Sequence, residues 1–465
     1  MFSAMKLVLI CLSFFVSIIK STKMSSTKLK GRLPATLPPP MRSNVEGSWA
    51  YDTMSRRVIT DILRRIVDDN ADELTRPTSP LRSECLLQLN DLKSSLECGK
   101  TGYLRGLSDK GPDLAAWDKI LSTLSDDERN WLDAPWVISE FYLYRRVAEA
   151  FRFFETGYDM FVKQKAQGLM DATSVIDEIA TKIPAILSSA NLADALVIAT
   201  QTSLWGNKMD LSLWPAGLSK KAQTGSAEVD LPGQISFGST IAAGKKFILD
   251  DHTTAVVEFL QKLHSEGPTS TNRDIGIIVD NAGYELFSDM LLGHCLLELG
   301  VASSVTFFTK GHPTFVSDAT TQDCMETIDF LCDSPFTPTS DLAKRFQDHI
   351  NEKKFVFDSD LFWCQPTAFW DMNDSIQKKV EKCKLVIVKG DANYRRLLGE
   401  REWPLDTSAA DILSYWPVPV CALRTFKAEI GCGISQERQK EVEEADPQWM
   451  VSGRWGVVQL GGGIY

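Results

Sequence analysis

The chain has 465 residues, 44% of them hydrophobic, and a formal net charge of -11. This length exceeds that of a typical single domain, so we expect two closely packed lobes. Because nucleic-acid backbones are bound through basic surfaces, the acidic balance argues against a nucleic-acid partner, while a local cluster of Lys and Arg still allows a small anionic substrate.

An apolar run at residues 7–19, flanked by Lys6 and Lys20, resembles a signal peptide. It is shorter than the roughly 20 residues that span a membrane, and no small-x-small cleavage site is obvious before Lys20. Met24 offers an alternative start. We interpret residues 1–23 as an upstream extension and expect no stable membrane association, with a secretory signal as the alternative.

Residues 28–44 are rich in Pro and Lys, which predicts an extended, unpacked leader, and folding is expected to begin near Trp49. Apolar residues then recur at helical spacing, for example over residues 54–66 and 136–154. Pro184 is predicted to end or kink a helix. We assign residues 1–45 to the signal-like extension and leader, and residues 46–234 to a mainly helical lobe.

From residue 235 onward, strand-like and helix-like segments alternate. The predicted fold class is α/β, with the helical N-terminal lobe packed on a Rossmann-like three-layer α/β/α sandwich whose sheet is mainly parallel. Residues 235–465 are assigned to this core. The three glycines at 461–463 are expected to form a flexible tail.

The most informative segment is an apolar run at residues 275–279 that stops at Asp280 and Asn281. A buried parallel strand produces a continuous apolar run of this kind, and ligands bind at the carboxyl ends of such strands. Gly283 allows a tight turn into the following helix. A solvated turn at a strand end is the alternative interpretation of Asp280 and Asn281.

Four further strand-like runs also end in polar loops, which contain Asp318, residues 358–360, residues 389–396 and residues 424–427. If the strands are parallel, these loops share one edge of the sheet. That edge would hold carboxylates and amides for a hard cation beside Lys and Arg for an anion. A metal next to a phosphate requires such a mixture.

Several of these segments together closely resemble the DUF89 damage-control phosphatases. The motifs are Asp280-Asn281-Ala282-Gly283-Tyr284-Glu285, Phe315-Val316-Ser317-Asp318, Lys389-Gly390-Asp391-Ala392-Asn393-Tyr394-Arg395 and Arg424-Thr425-Phe426-Lys427. The Arg-Thr-x-Lys ending marks a eukaryotic subgroup with sugar-phosphate phosphatases and a protein described as an acidic-residue methyltransferase. The resemblance runs from about Trp49 to the C-terminus and implies a cytoplasmic, and also a nuclear, location. It implies hydrolysis of small sugar phosphates such as fructose 1-phosphate or fructose 6-phosphate with Mn, Ni or Co, and Mg is also allowed.

On this interpretation, the metal ligands are Asp280, Asn281 and Asp318, and the catalytic residues are Asp280, Asn281 and Lys427. The predicted substrate-binding residues are Asp391, Asn393, Tyr394, Arg395, Arg424, Lys427 and Glu140. A helix cap or surface acid is the alternative for Asp318, and a solvated basic turn is the alternative for residues 389–396. A surface salt bridge would equally explain Glu140 and Arg145, and Asn207 and Asp210 are similarly ambiguous.

Other motifs are rejected. Asp358-Ser359-Asp360 mimics the nucleophile loop of haloacid-dehalogenase phosphatases, but Phe362 stands where that signature needs Thr or Val. Neither a Walker loop nor a Gly-x-Gly-x-x-Gly is present. The five histidines show no shared spacing, which predicts no His-based zinc centre, and the ten scattered cysteines predict free thiols.

Two other functional classes remain open. An S-adenosylmethionine-dependent protein-glutamate O-methyltransferase is the alternative enzyme, although the glycine-rich loop that usually cradles that cofactor is missing. A non-catalytic binding protein is the third class. The expected partner is a small phosphorylated metabolite, and the sequence does not indicate an oligomeric state.

Overall fold

The computed structural model describes residues 29–76, 79, 81, 84–189, 191–207, 244–267 and 272–463. The segment at residues 1–23 and the boundary between residues 234 and 235 lie outside these ranges, so those assignments stay predictions. Within the described part of the chain, no helix combines the length and the apolar character that crossing a bilayer would need. The cysteines in this part are free thiols, as expected.

The first half of the described chain is helical. Its helices are α1 (Trp49–Asp52), a π-helical segment (Thr53–Ile62), α2 (Leu63–Asp69), α3 (Ala71–Thr75), α4 (Glu84–Glu97), α5 (Leu114–Leu121), α6 (Trp136–Ala150), α7 (Phe153–Thr156), α8 (Val162–Asp171), α9 (Thr173–Leu187) and α10 (Leu192–Leu204). Pro184 lies inside α9 and does not end it. Helix α10 packs against helices of the second half, which joins the two halves.

Seven strands form one sheet in the order β1-β7-β6-β5-β2-β3-β4. They are β1 (Ile248–Asp251), β2 (Asp274–Ile278), β3 (Ser304–Lys310), β4 (Phe355–Asp360), β5 (Leu385–Lys389), β6 (Pro419–Thr425) and β7 (Gly456–Gly462). Strands β2 to β6 are parallel, β7 is antiparallel to β6, and β1 is parallel to β7. The prediction of an α/β fold with a mainly parallel sheet is confirmed.

Helices connect these strands. They are α11 (Thr253–Ser265), α12 (Tyr284–Glu298), α13 (Thr321–Cys332), α14 (Thr337–Asn351), α15 (Asp374–Val380), α16 (Asp391–Leu397), α17 (Ala409–Leu413) and α18 (Gln436–Ala445). The chain moves outward from β2 to β3 and β4, then returns to place β5 on the other side of β2. The strand order therefore reverses between β2 and β5, and ligands of open α/β sheets bind in the crevice at such a point.

The Pro-rich leader is packed, contrary to the prediction. The Met41 N–H donates to the Glu400 carbonyl at 3.0 Å, and the Trp136 N–H donates to the Met41 carbonyl at 2.9 Å. Arg401 Nη1 donates to the Pro38 carbonyl at 2.6 Å. An extended segment leaves its backbone groups unpaired, and here the start of α6 and the loop after α16 satisfy them.

The glycine run at 461–463 is not a flexible tail, because Gly461 and Gly462 belong to β7 and pair with β6. A Cβ on Gly461 would lie 2.7 Å from Leu413 Cβ, and one on Gly462 would lie 2.8 Å from Trp416 Cβ. The absent side chains let Leu413 and Trp416 pack directly on the strand. Composition alone suggested flexibility, whereas packing requires glycine at these positions.

Candidate active site

The ends of β2 and β3 bring the three predicted metal ligands together. Asp280 and Asn281 follow β2, and the loop after β3 folds back so that Asn281 and Asp318 form an antiparallel backbone bridge. The Ala319 N–H donates to the Asp280 carbonyl at 2.7 Å. Residues far apart in the sequence therefore meet at one edge of the sheet, as the parallel arrangement predicts.

Burial and like charge dominate the electrostatics of this edge. Asp280 and Asp318 are 3% and 1% exposed. Burial raises the pKa of both carboxyls, and for Asp280 the negative charges of Asp318 and Glu285 raise it well above its usual range. Lys310 and Lys427 act in the opposite direction on the pKa of Asp280. Crowded, desolvated oxygen donors of this kind suit a divalent cation, so the residues fit a metal.

Lys310, at the end of β3, links two of the predicted site segments. Its Nζ lies 3.0 Å from Asp318 Oδ2 and donates to Asn393 Oδ1 at 3.0 Å. The side chain is 1% exposed. Sequence reasoning gave this residue no specific role, although its position at a strand end was a signal. Its ammonium group offsets part of the buried negative charge.

The Asn281 side chain is held by hydrogen bonds on both sides. Its Nδ2 donates to Asp280 Oδ2 at 3.1 Å and to Glu285 Oε2 at 2.8 Å, and its Oδ1 accepts from Ser317 Oγ at 2.6 Å. Glu285, four residues along the chain in the first turn of α12, is a second residue to which sequence reasoning gave no role. These contacts direct the amide oxygen toward the Asp318 loop.

Lys389 anchors Glu285 from the neighbouring strand. Its Nζ lies 3.5 Å from Glu285 Oε1 and 3.0 Å from Asp289 Oδ1, and it also donates to the Ser203 carbonyl. Ser203 Oγ in turn donates to Asp289 Oδ1 at 2.7 Å. This buried network ties α10 of the helical half, α12 and β5 together directly beneath the strand-end carboxylates.

Asn393 and Tyr394 face the protein interior from α16, so residues 391–396 belong to a buried helix and not to the predicted polar loop or to a solvated turn. Asn393 Nδ2 donates to the Val279 carbonyl at 2.9 Å and lies 3.4 Å from Asp280 Oδ1. Tyr394 is fully buried and donates its hydroxyl to Gln459 Oε1 at 2.7 Å. In this geometry, Asn393 positions Asp280, and Tyr394 links α16 to Gln459 of β7.

Arg424 organises the adjacent loop after β6. Its Nε donates to Asp391 Oδ1 at 2.8 Å, and its Nη2 donates to the Ala428 carbonyl at 3.0 Å. The Lys427 N–H also donates to Asp391 Oδ1, at 3.3 Å. Arg424 is fully buried, while Lys427 is partly exposed. Arg424 therefore holds Asp391 and the backbone that follows Lys427.

Glu140 of the helical half reaches the site through Arg395. Arg395 Nη1 pairs with Glu140 Oε2, and its Nε donates to Glu400 Oε2 at 2.7 Å. The guanidinium lies 3.8 Å from the ring centroid of Trp136. Arg395 Nη2 is buried without a hydrogen-bond partner among the described residues. This nitrogen is therefore the guanidinium donor that an anion could bind.

The loop that presents Asp318 has a strained backbone. Phe315 and Val316 have φ angles of 47° and 66°, and a β-branched residue such as valine rarely adopts a positive φ. The Phe315 ring lies 4.6 Å from Phe141 and 4.7 Å from Tyr144, both on α6. Strain of this kind costs about 1–3 kcal/mol per residue, so these aromatic contacts help to hold the loop in place.

The remaining predicted residues lie elsewhere or outside the described part. Arg145 is buried and pairs with Asp109 and Asp113, each at 2.8 Å, so it is not a surface salt bridge. Asp358 pairs with Lys379 at 2.6 Å. Asp210 and the side chain of Asn207 lie outside the described residues.

Comparison with known proteins identifies the family. The damage-control phosphatase ARMT1-like domain matches residues 53–442, which is most of the chain. The chain belongs to the damage-control phosphatase ARMT1-like family. The prediction made from the motifs at the strand ends is thereby confirmed at the level of the family.

Curated relatives in the family match nearly the whole chain. The damage-control phosphatase ARMT1 of Danio rerio is 28% identical over 457 residues, covering 93% of this chain and 98% of that protein. The Xenopus laevis protein of the same name is 29% identical over 451 residues, covering 90% and 98%. A crystal structure of a DUF89 family protein from Pyrococcus horikoshii covers 86% of this chain and 97% of its own, with 14% identity and a TM-score of 0.40.

The first prediction concerns Gly390, which lies against Asp280. A Cβ at Gly390 would be 1.9 Å from Asp280 Oδ2. We expect Gly390→Ala to displace the carboxylate and reduce divalent-metal affinity at least tenfold, measured by isothermal titration calorimetry. Gly283→Ala is the matched control, because Gly283 has a similar φ of 75° but its Cβ would meet nothing closer than 3.5 Å. Equal affinities in the two variants would contradict the assigned contact.

The second prediction concerns the aromatic contact of the Asp318 loop. Phe315→Ala removes the ring that packs on α6 without touching a predicted ligand. We expect metal affinity to fall roughly 10–100-fold, as when groups that orient ligands are lost. Phe336→Ala is the control, since Phe336 is an exposed phenylalanine outside the site. Unchanged calorimetric affinity in folded Phe315→Ala would show that the loop holds its shape unaided.

The third prediction concerns the pH dependence of stability. Burial raises the pKa of Glu400 to about 7, although Arg395 lowers it. A raised pKa in the folded state means that stability is fully present below the ordinary pKa and is lost as pH rises toward 7. In Glu400→Gln, the loss of unfolding free energy between pH 5 and pH 8 should shrink by on the order of 1–3 kcal/mol. Urea unfolding measures this loss, and Glu402→Gln, at an exposed site, should behave as wild type.

Proposed function

We propose that this protein is a metal-dependent phosphatase of small sugar phosphates. Family membership supports phosphatase activity. The observation that carries the proposal is the convergence of buried Asp280, Asn281 and buried Asp318 at the carboxyl edge of the sheet. The cationic side chains of Lys310 and Lys427 lower the pKa of Asp280, and Lys310 also lowers that of Asp318. Oxygen donors and cationic groups side by side are the requirement for phosphate-monoester hydrolysis.

A divalent cation would be held by Asp280, Asn281 and Asp318. Bound there, it would supply charge neutralisation for the phosphoryl group and an acidified water. The protein fixes these ligands before the substrate arrives: Lys310 holds Asp318, while Glu285 and Ser317 hold the Asn281 amide. We propose Mn, Ni or Co as the working metals, with Mg as an allowed substitute.

The phosphate of the substrate is proposed to bind through Lys427 and Arg395. Lys427 is partly exposed, and Arg395 has a buried Nη2 without a described partner, so both can meet an anion. Asp391, whose orientation is set by Arg424, is proposed to accept a sugar hydroxyl. Three further residues contribute by holding their neighbours in place. Asn393 holds Asp280, Tyr394 holds α16, and Glu140 holds Arg395.

The fourth prediction tests hydrolysis directly. Purified protein with Mn should release inorganic phosphate from fructose 1-phosphate or fructose 6-phosphate. Asp280→Asn should reduce kcat/KM by about 10²–10³-fold, comparable to the loss of one electrostatic stabiliser. Asp358→Asn is the matched control, because Asp358 lies near the end of β4 in the same sheet but pairs with Lys379 outside the site. This variant should keep wild-type activity.

Two outcomes would contradict the proposal. Loss of activity in Asp358→Asn with retention in Asp280→Asn would assign the chemistry to the haloacid-dehalogenase-like loop. Transfer of a labelled methyl group from S-adenosylmethionine to protein carboxylates, without phosphate release from either fructose phosphate, would favour the methyltransferase.

A further inference from the structure

A second group of metal-binding side chains lies at the far end of α12. His294 and Glu298 are one helical turn apart on this helix, and His349 comes from α14. One donor atom from each residue lies within 4.8 Å of the others. We infer that these three residues form a binding site for a single transition-metal cation of the zinc class.

The donor atoms are almost at ligand spacing. His294 Nδ1 lies 2.9 Å from His349 Nε2, which lies 3.6 Å from Glu298 Oε1. Two ligands that share a tetrahedral zinc at 2.0–2.1 Å are roughly 3.3 Å apart. Small side-chain adjustments are therefore enough to enclose an ion. The i, i+4 spacing of His294 and Glu298 places both on one face of α12.

The two imidazoles are shielded from bulk water. His294 and His349 are 2% and 3% exposed. Imidazole nitrogen is the commonest metal ligand in proteins. His349 Nδ1 is buried and has no hydrogen-bond partner among the described residues. The described polar contacts of the His349 ring are made by Nε2, with His294 and Glu298.

Glu298 supplies negative charge and access from solvent. Its side chain is 28% exposed, which leaves room for water to complete the coordination of an ion. Arg345 Nη2 now lies 2.9 Å from Glu298 Oε1, but Arg345 is 53% exposed and also lies 3.6 Å from Asp348. A divalent cation can therefore replace Arg345 at Glu298 while the guanidinium remains beside Asp348.

This site differs in chemistry and position from the carboxylates at the strand ends. Two imidazoles with one carboxylate favour Zn, whereas the strand-end set has only oxygen donors, which harder cations such as Mg and Mn also accept. Glu298 ends α12 and Glu285 lies near its start, a separation of about 20 Å along the helix axis. A cation at the His294 end would fasten α12 to α14, and α12 carries the Glu285 that orients Asn281.

The fifth prediction is a metal-binding measurement on tag-free, chelator-treated full-length protein. Asp280→Asn/Asp318→Asn serves as the background, because it weakens the strand-end site. We expect this double variant to retain one equivalent of Zn, with a higher melting temperature when Zn is bound. Adding His349→Gln should abolish that equivalent, and adding Glu298→Gln should weaken it at least tenfold. His264→Gln, at an exposed histidine bonded to the Leu299 carbonyl, is the matched control and should change nothing.

Mass spectrometry of bound metal and calorimetry give the stoichiometry, and circular dichroism checks that each variant is folded. Absence of zinc from the folded double variant would overturn the proposal. The proposal would also be overturned if the double variant still bound one equivalent of zinc after His349→Gln or His294→Gln was added and the protein remained folded. Zinc would then be bound elsewhere. Either result concerns only this cluster and leaves phosphate release by the wild-type protein as a separate question.

Discussion

The arrangement of the site depends on how the surrounding residues stabilise the carboxylates buried at the ends of β2 and β3. Asp280 and Asp318 are removed from water, and Glu285 lies close enough to raise the pKa of Asp280 further. Charges buried in this way require opposite charge and hydrogen bonds. Lys310 and Asn393 provide part of that compensation. We propose that the remaining demand for positive charge lets this edge bind a divalent cation and, beside Lys427, phosphate.

The parts of the fold that surround this edge are explained by the same constraint. Lys389 fixes Glu285 from β5, and Ser203 brings the end of α10 into the same network. Helix α6 contributes the aromatic contacts of Phe315 and the carboxylate that pairs with Arg395. The helical half is therefore more than a cover for the sheet. It supplies contacts that hold the Asp318 loop and the Arg395 side chain.

The chain as a whole carries a charge of -11, but its proposed substrate is an anion. The local distribution of charge resolves this conflict. Lys310, Lys389, Arg395 and Arg424 are all buried around the strand ends, where the lower dielectric strengthens their action. Each is also paired with at least one carboxylate, so much of its charge serves to position acids. We propose that the phosphate meets Lys427, which is partly exposed, and Arg395 Nη2, which has no hydrogen-bond partner among the described residues.

The sequence alone determined the fold class and the positions of the strand-end acids, because a buried parallel strand produces a continuous apolar run that stops at polar residues. Asp280, Asn281 and Asp318 were found in this way, and so was the polar segment after β5, although the sequence did not show that this segment is the helix α16. Pairing partners depend on distances that one-dimensional spacing does not contain. Only the tertiary structure showed Lys310 between Asp318 and Asn393, the packed leader at Met41, and Gly461 in a strand. For the same reason, the sequence did not show that His294 and His349 are in contact. They are 55 residues apart in the chain, and α12 and α14 bring them together.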